Sequence, residues 1–172
     1  LCSINSEHRF TLQLAFWDEF KQWDDSEVGD NNRRASTRRA ANLAKFLASL
    51  VVFDVLSLPS VLKPVDISDA SLAPIALLFF RACFAAIVQA DASTSAAVTR
   101  GEGPLPFVRA CSRLGASMES LLVRDQIVVF VSRHLKNPPP GLSLAQVDVF
   151  AKNRKRFEKA LGEAQRLHKA TT

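Results

Sequence analysis

Asn42-Leu43-Ala44-Lys45-Phe46-Leu47-Ala48-Ser49-Leu50-Val51-Val52-Phe53-Asp54-Val55-Leu56-Ser57-Leu58-Pro59-Ser60-Val61-Leu62-Lys63-Pro64-Val65-Asp66-Ile67 reads as two helices and a tight corner. Leu43, Phe46, Leu47, Leu50 and Val51 recur at helical spacing and form one apolar stripe. The period breaks at Asp54 to Ser57, which predicts a turn. Pro59 then opens a short second helix, because its fixed φ suits a first helical turn and its missing N–H is not needed there.

Working outward toward the N-terminus, the first of these helices extends back to about Ser36. Asp24 to Arg34 is almost free of apolar residues and reads as a solvated loop over 24–34. Before it, Leu12, Phe16, Phe20 and Trp23 repeat at helical spacing, and Phe10, Leu14 and Trp17 widen the arc, so Phe10 to Trp23 is expected to be a mostly buried helix.

Working outward in the other direction, Ile67-Ser68-Asp69-Ala70-Ser71 is rich in capping side chains and predicts a helix start. Leu72 to Ala90 is apolar nearly all round; Arg81 at its middle argues for a core helix rather than a membrane span. Residues 91–106 mix Ser, Thr, Gly and Pro and read as a loop. Phe107 to Leu114 predicts a short helix stopped by Gly115, and Ser117 caps the next, Met118 to Leu135. Ile127 to Val131 is strand-like in composition, yet its flanks and length favour helix. Asn137-Pro138-Pro139-Pro140-Gly141 ends that helix and makes a spacer. Ser143 and Gln146 form a capping box for the last helix. That helix repeats Val147, Phe150, Ala151, Phe157 and Leu161 on one side, with Asn153, Lys155, Arg156 and Lys159 expected outside.

The 172 residues suit one domain, and a 48% hydrophobic content with only six glycines favours packed helices over a turn-rich sandwich. The division expected is a helical domain over 1–136, a Pro-rich spacer over 137–142 and a helix over 143–172 packed on the same domain, all within a fragment of a larger protein. Three cysteines form no C-x-x-C pair, which fits a reducing compartment and argues against disulfides and zinc. The net charge of +5 and pI near 9.4 favour contact with polyanions.

No catalytic constellation emerges, and no cofactor is implied. Gly101-Glu102-Gly103 lacks the further glycine and preceding strand of a dinucleotide site. His8, His134 and His168 have no metal-ligand spacing. A Cys/His nucleophile needs a base and an orienting group brought together by the fold, with Cys83 or Cys111 and His134 the candidates, and buried free cysteine is the commoner use of that residue. Arg33, Arg34, Arg38 and Arg39 could contact RNA phosphates at the start of a helix, or form a solvated face. Lys152, Arg154, Lys155, Arg156 and Lys159 form a second basic cluster that winds around its helix. Neither is expected to carry the exposed aromatics of a single-strand stacking platform. Arg33-Arg34-Ala35-Ser36 also has the pattern of a basic-directed kinase site.

The segment Asn42 to Ile67 resembles the MA-3 (MI) domain, an all-α, HEAT-like stack of antiparallel helix pairs, here with an added C-terminal helix. The opener Phe10-Thr11-Leu12-Gln13-Leu14-Ala15-Phe16-Trp17-Asp18 looks like the region preceding that signature in nucleolar proteins that carry a MIF4G domain followed by an MA-3 domain. The resemblance is clearest over Arg9 to Ile67 and concerns binding, since no invariant catalytic motif defines the family. It implies a non-catalytic scaffold in the nucleolus, acting in small ribosomal subunit assembly and pre-rRNA processing. The implied partners are assembly factors, rRNA and a DEAD-box helicase of the initiation-factor-four-A type, held there through the MIF4G domain or through this one, and no membrane. In helicase-binding relatives an acidic residue in the corner after the first helix touches the helicase. Asp54 occupies the matching corner, with Ser57, Lys63 and Asp66 beside it, and Asp54 equally suits a plain capping role. A spliceosomal or translation-initiation adaptor of the same fold, and a structural RNA-binding subunit, are the alternatives.

Overall fold

The structure is a computed structural model that describes residues 5–25, 33–98, 110–111, 114 and 117–171. Six helices are found among the described residues, and no strand. They are α1 (Ser6–Asp25), α2 (Arg33–Val52), α3 (Leu58–Leu62), α4 (Pro74–Val98), α5 (Met118–His134) and α6 (Leu144–Thr171). None is long and apolar enough to cross a membrane.

The apolar residues of α4 determine the arrangement. Phe79, Phe80, Cys83, Phe84, Ile87 and Val88 are all buried, and they meet α1, α2, α5 and α6 on different sides of one helix. A chain of ring contacts runs through it: Phe16 and Phe20 of α1 meet Phe79, Phe80 meets Phe130 of α5, and Phe84 meets both Phe130 and Phe157 of α6. The Phe20 and Phe79 rings lie 5.5 Å apart at 71°, the edge-on geometry that the ring quadrupole favours. Each such ring contributes roughly 1.5–3 kcal/mol by leaving water, so this ladder is the main cohesive element. Arg81, the single charge in the middle of this apolar run, points to solvent.

The longest interface lies between α2 and α4. Its α2 side is Ala40, Ala44, Leu47, Ala48 and Val51, all buried. The expected stripe of Leu43, Phe46, Leu47, Leu50 and Val51 is therefore rotated: Leu43 is half-buried and Phe46 is exposed. Small side chains let the two backbones approach, so alanines mark the closest contact and the larger residues sit at its margins. α1 departs from expectation in the same way. Phe16, Phe20 and Trp23 are buried, whereas Phe10 and Leu14 are exposed, because α1 packs over α3 and α4 along one narrow stripe only.

Several boundaries also move. α4 starts at Pro74 rather than near Ser68, because Asp66 and Asp69 spend their carboxylates on the Ser68 and Ser71 backbone N–H groups in two successive turns. It then continues to Val98, so the loop expected over 91–106 is helical in its first eight residues; 99–106 lies outside the described residues. The loop over 24–34 is shortened by helical residues at both ends, and 26–32 lies outside the described residues, as do 107–109 of the short helix expected before Gly115. The caps of the later helices stand as expected. Ser117 Oγ accepts from the Ser120 N–H at 3.1 Å. Ser143 and Gln146 exchange both bonds of the capping box, 2.9 Å and 3.4 Å.

α6 rests on α4 and α5 through Phe150, Phe157, Ala160 and Leu161. Asn153, expected outside, is buried: its Nδ2–H donates to the Val88 carbonyl of α4 at 3.2 Å, which satisfies a polar group inside the contact. Ala151, expected on the apolar side, is exposed. Arg124 of α5 is 5% exposed, and its Nη1–H donates to the Leu161 carbonyl at 3.3 Å. Its second Nη bonds Asp125, and burial lowers its pKa.

Candidate functional site

The corner after α2 is closed by backbone geometry. Asp54 adopts φ 64°, the left-handed conformation of a helix C-terminal cap. The Val55 N–H donates to the Leu50 carbonyl at 2.8 Å and the Asp54 N–H to the Val51 carbonyl at 3.1 Å, which is the Schellman pattern and satisfies two carbonyls that the helix end leaves open. The half-buried Val55 and the buried Leu50 supply the apolar contact that accompanies it. Ser57 caps α3, accepting from the Ser60 N–H at 3.4 Å. Lys63, at the far end of α3, pairs with Glu119 in the first turn of α5 at 2.8 Å and so ties the corner to the next helix. Asp66 accepts from both the N–H and the hydroxyl of Ser68.

These local bonds leave a cleft of about 500 Å³ between α1, α3 and the start of α5. Gln13 and Trp17 form one wall, Pro59 and Ser60 with Ser57 and Lys63 the floor, and Glu119 and Ser120 the other wall. Trp17 is fixed there because its indole N–H donates to the Val61 carbonyl at 3.0 Å. Of the four corner residues singled out from the sequence, Ser57 and Lys63 line this cleft and Asp54 and Asp66 do not. Phe10 and Leu14 on α1, and Met118 and Leu122 on α5, are exposed apolar residues on the two helices that wall it. The sequence signal for this wall is the extra apolar width of α1, since Phe10 and Leu14 lie outside its buried stripe.

The basic clusters resolve differently. In α6, Lys152, Lys155, Arg156 and Lys159 are exposed and share one outward face, while Arg154 is half-buried and pairs with Glu158 at 3.8 Å. Lys159 pairs with Glu163 at 3.8 Å. In α2, Arg34 and Arg38 are exposed, Arg39 bonds Glu19 of α1, and the Arg33 side chain lies outside the described residues. Lys45, which the sequence reading did not include, extends the Arg34 and Arg38 line along the helix. The expectation that no exposed aromatic accompanies the basic residues fails for α2: Phe46 is 48% and Phe53 73% exposed. Placing arginines in the first turns of α2 opposes its macrodipole, at a cost of about 0.3–1 kcal/mol for each cation near the end.

The nucleophile pairing meets an inert environment. Cys83 and Cys111 are both buried and free, and desolvation pushes each thiol up to about 12, the opposite of what an activated cysteine needs. His134 lies against the Phe130 ring at 4.8 Å. Among the described residues no group of three His, Cys, Asp or Glu side chains is placed to hold a metal ion.

Compared with protein-family models, curated proteins and solved structures, the chain matches none.

Proposed function

We propose that the chain is a non-catalytic adaptor of the MA-3 type, a HEAT-like helix stack acting in nucleolar assembly of the small ribosomal subunit and pre-rRNA processing. The cleft between α1, α3 and α5, with exposed apolar side chains on both walling helices, is the observation that carries the binding role. Such a face suits an amphipathic helix of a protein partner, whose apolar residues would cover Phe10, Leu14, Met118 and Leu122. The resemblance over Arg9 to Ile67 supports the remainder: assembly factors as partners, and a DEAD-box helicase of the initiation-factor-four-A type at the corner formed by Asp54, Ser57, Lys63 and Asp66.

The test is capture of partners from nuclear extract under nuclease treatment, with identification by mass spectrometry. The wild-type chain is expected to retain small-subunit assembly factors and a DEAD-box helicase. A Leu14→Glu, Leu122→Glu double variant should lose them while keeping its helical circular dichroism, since both side chains are exposed. Recovery of splicing or translation-initiation factors instead moves the function to the other adaptor classes, and retention of the same partners by the double variant places the interface elsewhere.

A further inference from the structure

We propose that the outward face of α2 is a binding track for single-stranded nucleic acid, with Arg34, Arg38 and Lys45 meeting phosphates and Phe46 and Phe53 stacking on bases. None of these residues lines the α1, α3 and α5 cleft, and the proposal does not rest on the adaptor reading.

The sequence of α2, Arg33 to Val52, contains five cations and no carboxylate. Arg39 alone among the exposed ones is neutralised across the fold, by Glu19; no salt bridge to Arg34, Arg38 or Lys45 is found among the described residues. At about 100° per residue, Arg34, Arg38, Asn42, Lys45 and Ser49 fall within an arc of about 80°, and Phe46 and Phe53 border it. All seven are exposed, while Ala40, Ala44, Leu47 and Val51, buried against α4, lie on the far side of the helix. The cations span about 16 Å of helix and the two rings are about 10 Å apart along the axis.

This combination selects the ligand. A charge-only surface would take any polyanion, but two exposed phenyl rings beside the cations match a chain that offers both phosphates and unstacked bases. Phe46 packs against the buried Phe16 of α1, with ring centroids 6.4 Å and planes 28° apart, while 48% of the residue stays exposed. Phe53 projects at the end of the helix, the most exposed phenylalanine of the described residues. An acidic amphipathic helix fits less well, because it needs apolar anchors on successive turns, and here Ser49 separates the rings. The α6 face carries cations of similar number but, among the described residues, no exposed aromatic ring, and Lys159 is already paired with Glu163.

The experiment is fluorescence anisotropy of the 172-residue chain with labelled oligouridine of about twelve nucleotides, titrated at several salt concentrations. Replacing Arg34, Arg38 and Lys45 together by alanine should weaken binding at least tenfold and flatten the log–log salt slope by about two, three lost contacts at roughly 0.7 each. Phe53→Ala should weaken binding about tenfold with the slope unchanged, and Phe53→Tyr should restore it. A triple alanine variant at Lys152, Lys155 and Lys159 should lose less than the α2 variant. Unchanged circular dichroism and melting temperature exclude misfolding as the cause. Absence of wild-type binding at about 100 μM in low salt overturns the proposal, as do equal affinities of wild type and Phe53→Ala, equal binding of a duplex of the same length, or a loss confined to the α6 variant.

Discussion

Asp54 closes the corner after α2 as a left-handed cap, and a pair of substitutions tests that role. Its φ of 64° is costly for any side chain with a Cβ and least so for Asp, Asn and Gly. Asp54→Gly is therefore expected to be more stable than Asp54→Ala by about 1 kcal/mol in urea denaturation, because only alanine is strained there. Equal stabilities would mean that the corner relaxes out of the left-handed conformation. The resemblance singled out this residue for an acidic side chain in a turn, but nothing in the sequence distinguishes Asp as a surface contact from Asp as a tolerated left-handed cap. The same limit applies to Asn153 and Arg124, polar residues whose burial depends on carbonyl groups of Val88 and Leu161, 65 and 37 residues away.

Among the elements, the helix ends were the most legible features, since caps are local chemistry. Ser117, Ser143 with Gln146, and Pro59 act within four residues of themselves, so the sequence alone specifies their bonds. Ser143→Ala is expected to cost about 1 kcal/mol, read as a lower urea midpoint at constant slope. The α4 start departs from its local signal for a related reason: two aspartates and two serines offer several turns of similar energy, and they form turns before Pro74. Helix faces were less legible than helix ends. Hydrophobicity ranks Phe46 above Ala44, yet Ala44 is fully buried and Phe46 is not. Ala44→Leu should accordingly destabilise by about 1–3 kcal/mol through overpacking between α2 and α4, whereas Phe46→Ala should cost less than the 3–5 kcal/mol typical of a buried phenylalanine. A neutral Ala44→Leu would show that the two helices are not closely apposed there.

For the whole molecule, the buried thiols make stability depend on alkaline pH. Cys83 and Cys111 are raised from 9.0 to about 12 by desolvation, so thiolate forms first in the unfolded chain. The unfolded state then binds fewer protons than the folded one, and stability must fall as pH rises. The contribution is intact below about pH 8.5 and is lost between about 9 and 12; at pH 10 the two thiols together account for roughly 3 kcal/mol. Urea midpoints at pH 8 and pH 10 test this, and a Cys83→Ala, Cys111→Ala variant, less stable at pH 8, should show a smaller drop. A midpoint independent of pH in the wild type would place both thiols in contact with water.

By itself the sequence determined the helical class, the caps at Ser117 and Ser143, the proline stop and the burial of α4, because these follow from periodicity and from bonds within a few residues. Its resemblance over Arg9 to Ile67 supplied the adaptor reading, which geometry alone does not contain. Tertiary packing decided which face of each helix is covered. It left Phe10, Leu14, Phe46 and Phe53 in solvent, buried Asn153 and Arg124, and drew Trp17, Lys63 and Glu119 from three helices into one cleft. The physical reason is that amphipathicity fixes how much apolar surface a helix must cover, whereas the small alanines at the closest helix contact fix where its neighbour lies.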